Sequence, residues 1–151
     1  MGWLEAQRWI LRGMDGLGAR MGRRGPQHLK VGLQGEREAL FQLRKLGYTV
    51  VARRWKTGKL RGDADLIGWD GEWLCFVEVK TRTGRDAMAP AESAVDEAKR
   101  VMLRRLARAY VKGFPEKVRR EVRVRFDVVS VYLQPNGSEI EVHRGAFGWD
   151  F

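Results

Sequence analysis

Residues 65–81 constrain the fold of this 151-residue chain more than any other part of it. Two segments rich in β-branched and apolar residues, 65–69 and 72–81, flank the dipeptide Asp70-Gly71. An Asp-Gly pair between such segments is among the strongest local signals for a two-residue hairpin turn. The second segment is almost continuously apolar, which is typical of a strand covered on both faces. We therefore predict a β-hairpin whose second strand is buried in a sheet.

The other elements follow from hydrophobic periodicity and from the residues that end helices. The predicted elements are a helix over 32–46, strands over 48–55, 65–69 and 72–81, a helix over about 90–112, and strands over 122–133 and 139–143. Gly47 and Gly113 are expected to end the two helices. The order αβββαββ predicts an α/β domain with a central mixed β-sheet flanked by helices.

A chain of this length is expected to form one folded domain, which we assign to residues 31–151. Residues 1–30 are interpreted as a partly flexible N-terminal extension. Apolar residues at helical spacing between Trp3 and Leu17 indicate a short amphipathic helix there, although several glycines interrupt it. The extension has two interpretations. It is either a basic arm that binds nucleic acid or a membrane surface, or a frayed chain end, and frayed ends are the commoner case.

The most informative feature of the composition is its excess of positive charge. The formal net charge is +10 and the pI is near 10.3. Between Lys99 and Arg125 there are eleven Lys or Arg residues and only two acids. Such a surface attracts polyanions, of which nucleic acid is the usual one. A solvated basic face without a partner is the alternative at this point.

The sequence also indicates a compartment. No apolar stretch is long enough to span a membrane, and Glu5 and Arg8 interrupt the region where a signal peptide needs an apolar run. The single cysteine, Cys75, has no partner for an intrachain disulfide, which fits a reducing environment. We expect a cytoplasmic protein.

Two acidic residues of the predicted hairpin are expected to lie close together. With Asp70-Gly71 as a two-residue turn, Asp65 and Glu78 are diagonal neighbours on one face, with Cα atoms roughly 7–8 Å apart. In the same register Asp63 is opposite Glu78 and adds a third acid. Carboxylates at this separation can bind one hard cation.

The setting of these charges is unusual, because Glu78 and Lys80 interrupt an otherwise apolar strand. Burying them costs several kcal/mol per ion unless each is paired or coordinated. A functional site is one explanation. A structural Glu–Lys ion pair at a strand end is the other.

An ordered set of short motifs extends from about Gly32 to the last strand. The motifs are Gly35-Glu36, Leu46-Gly47-Tyr48, Gly62-Asp63-Ala64-Asp65, Phe76-Val77-Glu78-Val79-Lys80, Asp96 leading to Lys99, and Arg125-Phe126-Asp127. This set resembles the YraN-type family of uncharacterised proteins. That family is placed within the restriction-endonuclease-like PD-(D/E)xK nuclease superfamily and is similar to Holliday-junction resolvases.

The resemblance implies roles for particular residues. Asp65 and Glu78 would be the metal ligands, with the carbonyl of Val79 as a third, and the ion would be Mg²⁺ or Mn²⁺. Lys80 would assist the attacking water or neutralise developing charge, and Glu36 from the first helix would complete the catalytic set. Oxygen ligands independently favour Mg²⁺ or Mn²⁺ over Zn²⁺. For Glu36 the alternative is an acid that favours the N-terminus of its helix.

Asp63 and Lys99 are further candidates for the site. No proline precedes the motif aspartate. The family usually has Gly-Glu-Ile-Asp where this chain has Gly62-Asp63-Ala64-Asp65, so Asp63 is one methylene shorter than expected. Lys99 shares a predicted helix face with Val95 and Met102. It is interpreted either as a contact to the scissile phosphate or as a surface lysine.

Basic residues on both sides of the hairpin are the expected contacts to DNA phosphates. They are Arg53, Arg54, Lys56, Lys59, Arg61, Arg82 and Arg85. DNA is expected as the partner rather than RNA, and a homodimer is a further expectation, because junction resolvases commonly dimerise.

The expected function is that of a metal-dependent endonuclease acting on DNA, including branched intermediates of repair or recombination. Two alternatives remain open at the level of sequence. One is a nucleic-acid-binding protein with a vestigial nuclease site, and the other is a non-catalytic interaction adaptor.

Overall fold

A computed structural model describes residues 27–83 and 95–149 of the chain. The helix predicted between Trp3 and Leu17 and the candidate Arg85 lie outside the described residues. The described elements are α1 (Gln27–Lys45), β1 (Thr49–Trp55), β2 (Ala64–Asp70), β3 (Trp73–Thr83), α2 (Glu97–Lys112), α3 (Glu116–Glu121), β4 (Arg123–Gln134) and β5 (Gly137–Phe147).

The five strands form one sheet in the order β1-β2-β3-β4-β5. All neighbouring pairs are antiparallel except β3 and β4, which pair in parallel without interruption from Trp73–Arg123 to Thr83–Leu133. The predicted mixed sheet is therefore confirmed. Helices α2 and α3 lie in the connection between the two parallel strands, as such a crossover requires.

Helices cover both faces of the sheet. On one face, Leu103 and Leu106 of α2 pack in a buried cluster with Phe76 of β3 and Phe126 of β4. On the other face, the buried Leu40 and Leu43 of α1 join a second apolar cluster. Strand β3 is buried on both sides over most of its length, as its apolar sequence predicts.

Helix α1 ends where the sequence predicts. Gly47 takes a φ of +94°, a left-handed conformation that costs glycine little. The N–H of Gly47 donates to the carbonyl of Arg44 at 3.0 Å, and the N–H of Tyr48 donates to that of Leu43 at 2.9 Å. This pair of hydrogen bonds is a Schellman motif, and it directs the chain from α1 into β1.

Both long helices begin elsewhere than predicted. Helix α1 is described from Gln27, so it includes five residues before the predicted start at Gly32. Helix α2 begins at Glu97 rather than near residue 90. Its N-cap Asp96 has extended backbone, and the Asp96 carboxylate accepts the N–H of Lys99 at 2.9 Å. A capping aspartate defines this start better than the apolar periodicity does.

Two further differences lie near the end of the chain. The short helix α3 was not predicted, and Pro115 is its N-cap. Strand β5 extends beyond the predicted 139–143. It continues past an irregular pairing with β4 through Gly145, which takes a φ of +63°. None of the helices within residues 27–83 and 95–149 is long and apolar enough to cross a membrane.

Candidate functional site

The turn between β2 and β3 differs from the predicted turn. Asp70 pairs with Trp73, so the two turn residues are Gly71 and Glu72 rather than Asp70 and Gly71. Gly71 takes a φ of +57°, which glycine adopts without strain. The predicted register is therefore wrong by two residues.

This shift brings the two key acids closer in register. The last recorded pair of the ladder is Leu66 with Val77, and the next step places Asp65 directly opposite Glu78 rather than diagonal to it. The prediction that Asp63 is opposite Glu78 is wrong, because Asp63 precedes the first residue of β2. An even shift keeps every side chain on its predicted face, since side chains alternate with a period of two.

The carboxylate cleft, as we call it, is an open cavity of about 540 Å³ at the ends of β2 and β3. It is lined by Val31, Gly32, Glu36, Asp65, Glu78, Val79, Lys80, Thr81, Thr83 and Lys99. All four residues predicted to be catalytic, and the candidate Lys99, therefore lie around one cavity.

Glu78 is the most buried acid of the cleft, with a side chain that is 1% exposed. Its Oε1 forms an ion pair with the ammonium group of Lys99 on α2. Its Oε2 receives no hydrogen bond from any described residue. An acceptor that is buried without a donor is costly, and such atoms need an explanation such as an absent ion or water.

Asp65 lies beside Glu78 and is held in place by the backbone. Its Oδ2 accepts the N–H of Val79 at 2.8 Å. Burial raises the pKa of Asp65 well above its usual range, and the negative charge of Glu78 raises it further. The fold thus holds two carboxylates together although they repel each other.

Lys99 partly offsets this repulsion. Burial alone would lower the pKa of Lys99, but the negative charges of Glu78, Asp65 and Asp63 outweigh burial and raise it. Lys99 lies in the first turn of α2, where the Asp96 cap fixes its backbone. The ion pair with Glu78 was not predicted from the sequence, and the contact of Lys99 to a scissile phosphate stays a prediction.

Glu36 reaches the cleft from α1 and is bound by Arg54 of β1. The Arg54 Nε donates to Glu36 Oε2 at 2.7 Å. Burial raises the pKa of Glu36, the Arg54 hydrogen bond opposes this, and the charge of Asp65 adds to it. Arg54 has a φ of +46°, which is strained for a residue other than glycine, and such strain often occurs at functional sites.

This contact was not predicted from the sequence. Arg54 was expected to contact DNA phosphates, but the structure gives it a carboxylate partner. In the β1–β2 register, Arg54 lies between the pairs Arg53–Leu66 and Trp55–Ala64, and hence opposite Asp65. No local signal indicates the left-handed backbone that turns its side chain towards α1.

The remaining predicted DNA contacts are placed around the hairpin. Lys56, Lys59 and Arg61 are exposed, whereas Arg53 and Arg82 are half-buried. Their role stays a prediction. Lys80 lines the cleft and is half-buried. Asp63 does not line the cleft, but its negative charge raises the pKa of Glu36 and of Lys99.

Gly35 allows α1 to approach β3 closely. A Cβ atom at Gly35 would lie 1.7 Å from the Oγ1 of Thr81 and within 2.8 Å of two further side-chain atoms of Thr81. Only a residue without a side chain fits there. The motif Gly35-Glu36 therefore has a physical reason, because the glycine brings the following glutamate to the cleft.

We expect Gly35→Ala to destabilise the protein by about 1–3 kcal/mol, the usual cost of overpacking. Urea unfolding measures this change. Gly32→Ala is the matched control, since a Cβ at Gly32 meets nothing within 4 Å. That control should be neutral or stabilising by up to about 1 kcal/mol, because alanine favours helix over glycine. Equal effects of the two substitutions would contradict the close approach.

The carboxylate pair also predicts a dependence of stability on pH. The pKa of Asp65 in the folded protein is raised to about 8. A raised carboxyl pKa means that the folded state binds this proton more tightly than the unfolded state. Stability is therefore lost as pH rises from about 4, the ordinary aspartate range, towards about 8.

We expect Asp65→Asn to raise the melting temperature in EDTA at pH 8.5 and to raise it much less at pH 5.5, where only part of this stability has been lost. At pH 8.5 the free energy of unfolding should increase by about 1 kcal/mol, as is common when the strain of a functional site is removed. Thermal melts at the two pH values measure it. A gain of the same size at both values would show that charge repulsion is not its cause.

The residues of the cleft fit a magnesium-type ion. Within residues 27–83 and 95–149, no three His, Cys, Asp or Glu side chains converge as a complete metal-binding group. Mg²⁺, however, keeps several waters and is commonly held by one or two carboxylates. Asp65 and the unpaired Oε2 of Glu78 supply that number and that kind of ligand.

A mixed five-stranded sheet with helices on both faces is compatible with a restriction-endonuclease-like fold. The chain belongs to the uncharacterised protein family UPF0102, whose model matches residues 35–131. The matched part contains Glu36, Asp65, Glu78, Lys80 and Lys99.

Proteins of the same family from several bacteria are similar to this chain. The UPF0102 protein of Koribacter versatilis is 50% identical over 122 residues, which cover 81% of this chain and 82% of that protein. The protein of Solibacter usitatus is 50% identical over 113 residues, covering 75% and 82%. The protein of Porphyromonas gingivalis is 40% identical over 122 residues, covering 80% and 85%. The family part of the resemblance is thereby confirmed.

Proposed function

We propose that this protein is a metal-dependent nuclease that hydrolyses phosphodiester bonds of DNA, and that it belongs to the PD-(D/E)xK superfamily. The observation that carries the proposal is the pair Asp65 and Glu78, held side by side at an open cleft. Lys99 neutralises only part of the charge of these two acids, and one buried oxygen of Glu78 has no donor among the described residues, so a bound metal ion would complete the site.

The ligands for Mg²⁺ or Mn²⁺ are Asp65 and Glu78, with the carbonyl of Val79 as the third expected from the resemblance. When bound, such an ion polarises the phosphate and lowers the pKa of a coordinated water. The N–H of Val79 fixes one oxygen of Asp65 and leaves the other for a ligand.

The other residues of the cleft bind and orient the phosphate of the DNA. In the hydrolysis, water gives up a proton as its oxygen bonds to phosphorus, the bond to the leaving sugar oxygen breaks, and that oxygen takes up a proton. Lys80, at the rim, is positioned to neutralise charge that develops on the phosphate oxygens. Glu36, held by Arg54, completes the set of acids that line the cleft.

Cleavage of linear and branched DNA, with Mg²⁺, with Mn²⁺ and in EDTA, tests the proposal. The Glu78→Ala variant is the reference. Cleavage that needs the metal and is lost in the variant supports a nuclease. Salt-sensitive binding of DNA without cleavage supports instead a vestigial site, and the absence of both supports an interaction adaptor.

Metal binding is tested separately from cleavage. We expect Mn²⁺ to raise the melting temperature of the wild type and not that of Glu78→Ala, since a ligand stabilises the state that binds it. The homodimer, the preference for branched DNA and the cytoplasmic location stay predictions.

A further inference from the structure

A second cavity, of about 450 Å³, lies away from the carboxylate cleft, and we call it the Trp149 pocket. It is formed by the C-terminal half of α2, by α3 and the start of β4, and by the chain after β5. Its volume falls within the roughly 300–1,000 Å³ of sites that bind small organic groups.

The rim of the Trp149 pocket is positive. It carries Arg108, Lys112 and Arg119, all exposed, and no carboxylate of residues 27–83 and 95–149 lines it. None of these three cations forms an ion pair with any other residue between 27 and 83 or between 95 and 149. Their charge is therefore not neutralised within the described structure, and it attracts anions to the mouth of the pocket.

The floor of the pocket is apolar. Val111, Val122 and Val124 line it, and Trp149 forms one wall. The Trp149 ring is fixed edge-on against Phe126, with ring centroids 5.0 Å apart. The guanidinium of Arg108 lies 5.1 Å from the centre of the Trp149 ring. A phosphate alone needs no such floor, whereas a flat aromatic group attached to a phosphate matches both halves of the pocket.

Helix α2 connects this pocket to the carboxylate cleft. Lys99 lines the cleft, and Arg108 and Lys112 follow on the same helix. At 1.5 Å per helical residue they are about 14 and 20 Å from Lys99 along the axis. A DNA strand covers this span with about four to six nucleotides at its spacing of 3.4 Å.

We propose that the Trp149 pocket binds an unstacked nucleobase, with its phosphate on the basic rim. The preferred substrates are then DNAs with unpaired nucleotides a few positions from the cleavage point, because a paired base cannot enter the pocket without leaving the stack. Only the statement that the bound strand is a substrate rests on the proposed nuclease function. The binding itself does not.

Binding of fluorescent DNA in EDTA tests the pocket without any cleavage. The probes are a short oligothymidine and a strand of equal length in which abasic residues replace the bases. We expect the oligothymidine to bind about tenfold more tightly, as one stacked base usually provides. Both strands carry the same phosphates, so a purely electrostatic surface binds them equally.

Two variants separate the floor from the rim. Val122→Phe fills the pocket and leaves the charge unchanged, so it should abolish the preference for bases and preserve binding of the abasic strand. Arg108→Gln should weaken binding of both strands. Arg105→Gln is the matched control, since Arg105 is exposed on the same helix but does not line the pocket.

A wild type that binds both strands equally overturns the inference, and so does a base preference that persists in Val122→Phe. Thermal melts establish that each variant is folded. Should Val122→Phe not fold, Val111→Phe fills the same pocket from α2. DNA cleavage without base preference would leave the nuclease proposal intact and remove this one, and base preference without cleavage would do the reverse.

Discussion

Replacing Glu78 with glutamine is expected to lower the rate of metal-dependent DNA cleavage by roughly 10²–10³, the usual loss when one electrostatic group of an active site is removed. The glutamine side chain would keep the size and shape of the native one but lose the charge that attracts a cation. Single-turnover cleavage at saturating Mn²⁺ measures the rate. Because the whole site depends on this carboxylate, adding more metal should restore little of it.

The fold should survive this substitution, which separates function from stability. Lys99 loses its partner, but its side chain is 34% exposed and can turn to solvent. The matched control is Glu121→Gln, an exposed acid at the end of α3, which should cleave at the wild-type rate. Wild-type cleavage by Glu78→Gln would exclude Glu78 as a metal ligand.

The largest loss of stability is expected at Asp127, which does not line the cleft. This carboxylate is fully buried, and the Nε of Arg125 donates to its Oδ1 at 2.8 Å. The Tyr48 hydroxyl and the N–H of Gly145 also donate to it, each at 2.9 Å. Arg125 extends the network to Asp70 at 2.6 Å.

We expect Arg125→Met to lower the free energy of unfolding by about 3–5 kcal/mol, because it leaves Asp127 buried without a counter-charge. Urea unfolding at neutral pH measures this loss. The double variant Arg125→Met with Asp127→Asn should recover part of it, since the residues are coupled.

A surface arginine of the same strand provides the control for that prediction. Arg123 is 62% exposed and lies 3.9 Å from Glu72. Arg123→Met should change stability by less than about 1 kcal/mol, as is usual for exposed ion pairs. A similar loss of unfolding free energy in both variants would show that removing any arginine from β4 is destabilising. It would contradict a particular contribution of the buried network.

The sequence predicts the faces of the strands better than their register. Glu78 and Asp65 share the predicted face even though the register is shifted by two, because only an odd shift moves a side chain to the other face. The shift itself depends on Asp70, which could serve equally in the turn or in the strand. Its long-range pairing with Arg125 keeps it in the strand, and no local pattern contains that information.

The sequence likewise predicts which residues form the site better than it predicts the contacts between them. Glu36, Asp65, Glu78 and Lys80 are identified by motif and resemblance, and the cleft brings them together. The contact of Arg54 with Glu36 depends on a backbone angle that propensity disfavours. Such contacts arise only when separate elements pack, so sequence periodicity cannot indicate them.

The parallel pairing of β3 with β4 has a consequence for how the molecule acquires its site. Strands β1 to β3 are consecutive antiparallel neighbours, so their contacts close short loops and can form early in folding. Strand β4 joins only after about 40 further positions of chain, which include α2 and its Lys99. We expect Asp65 and Glu78 to meet before their neutralising lysine arrives. During synthesis, the two acids are therefore exposed on the hairpin until α2 has formed. Packing of α2 on the sheet then closes the core and neutralises part of their charge.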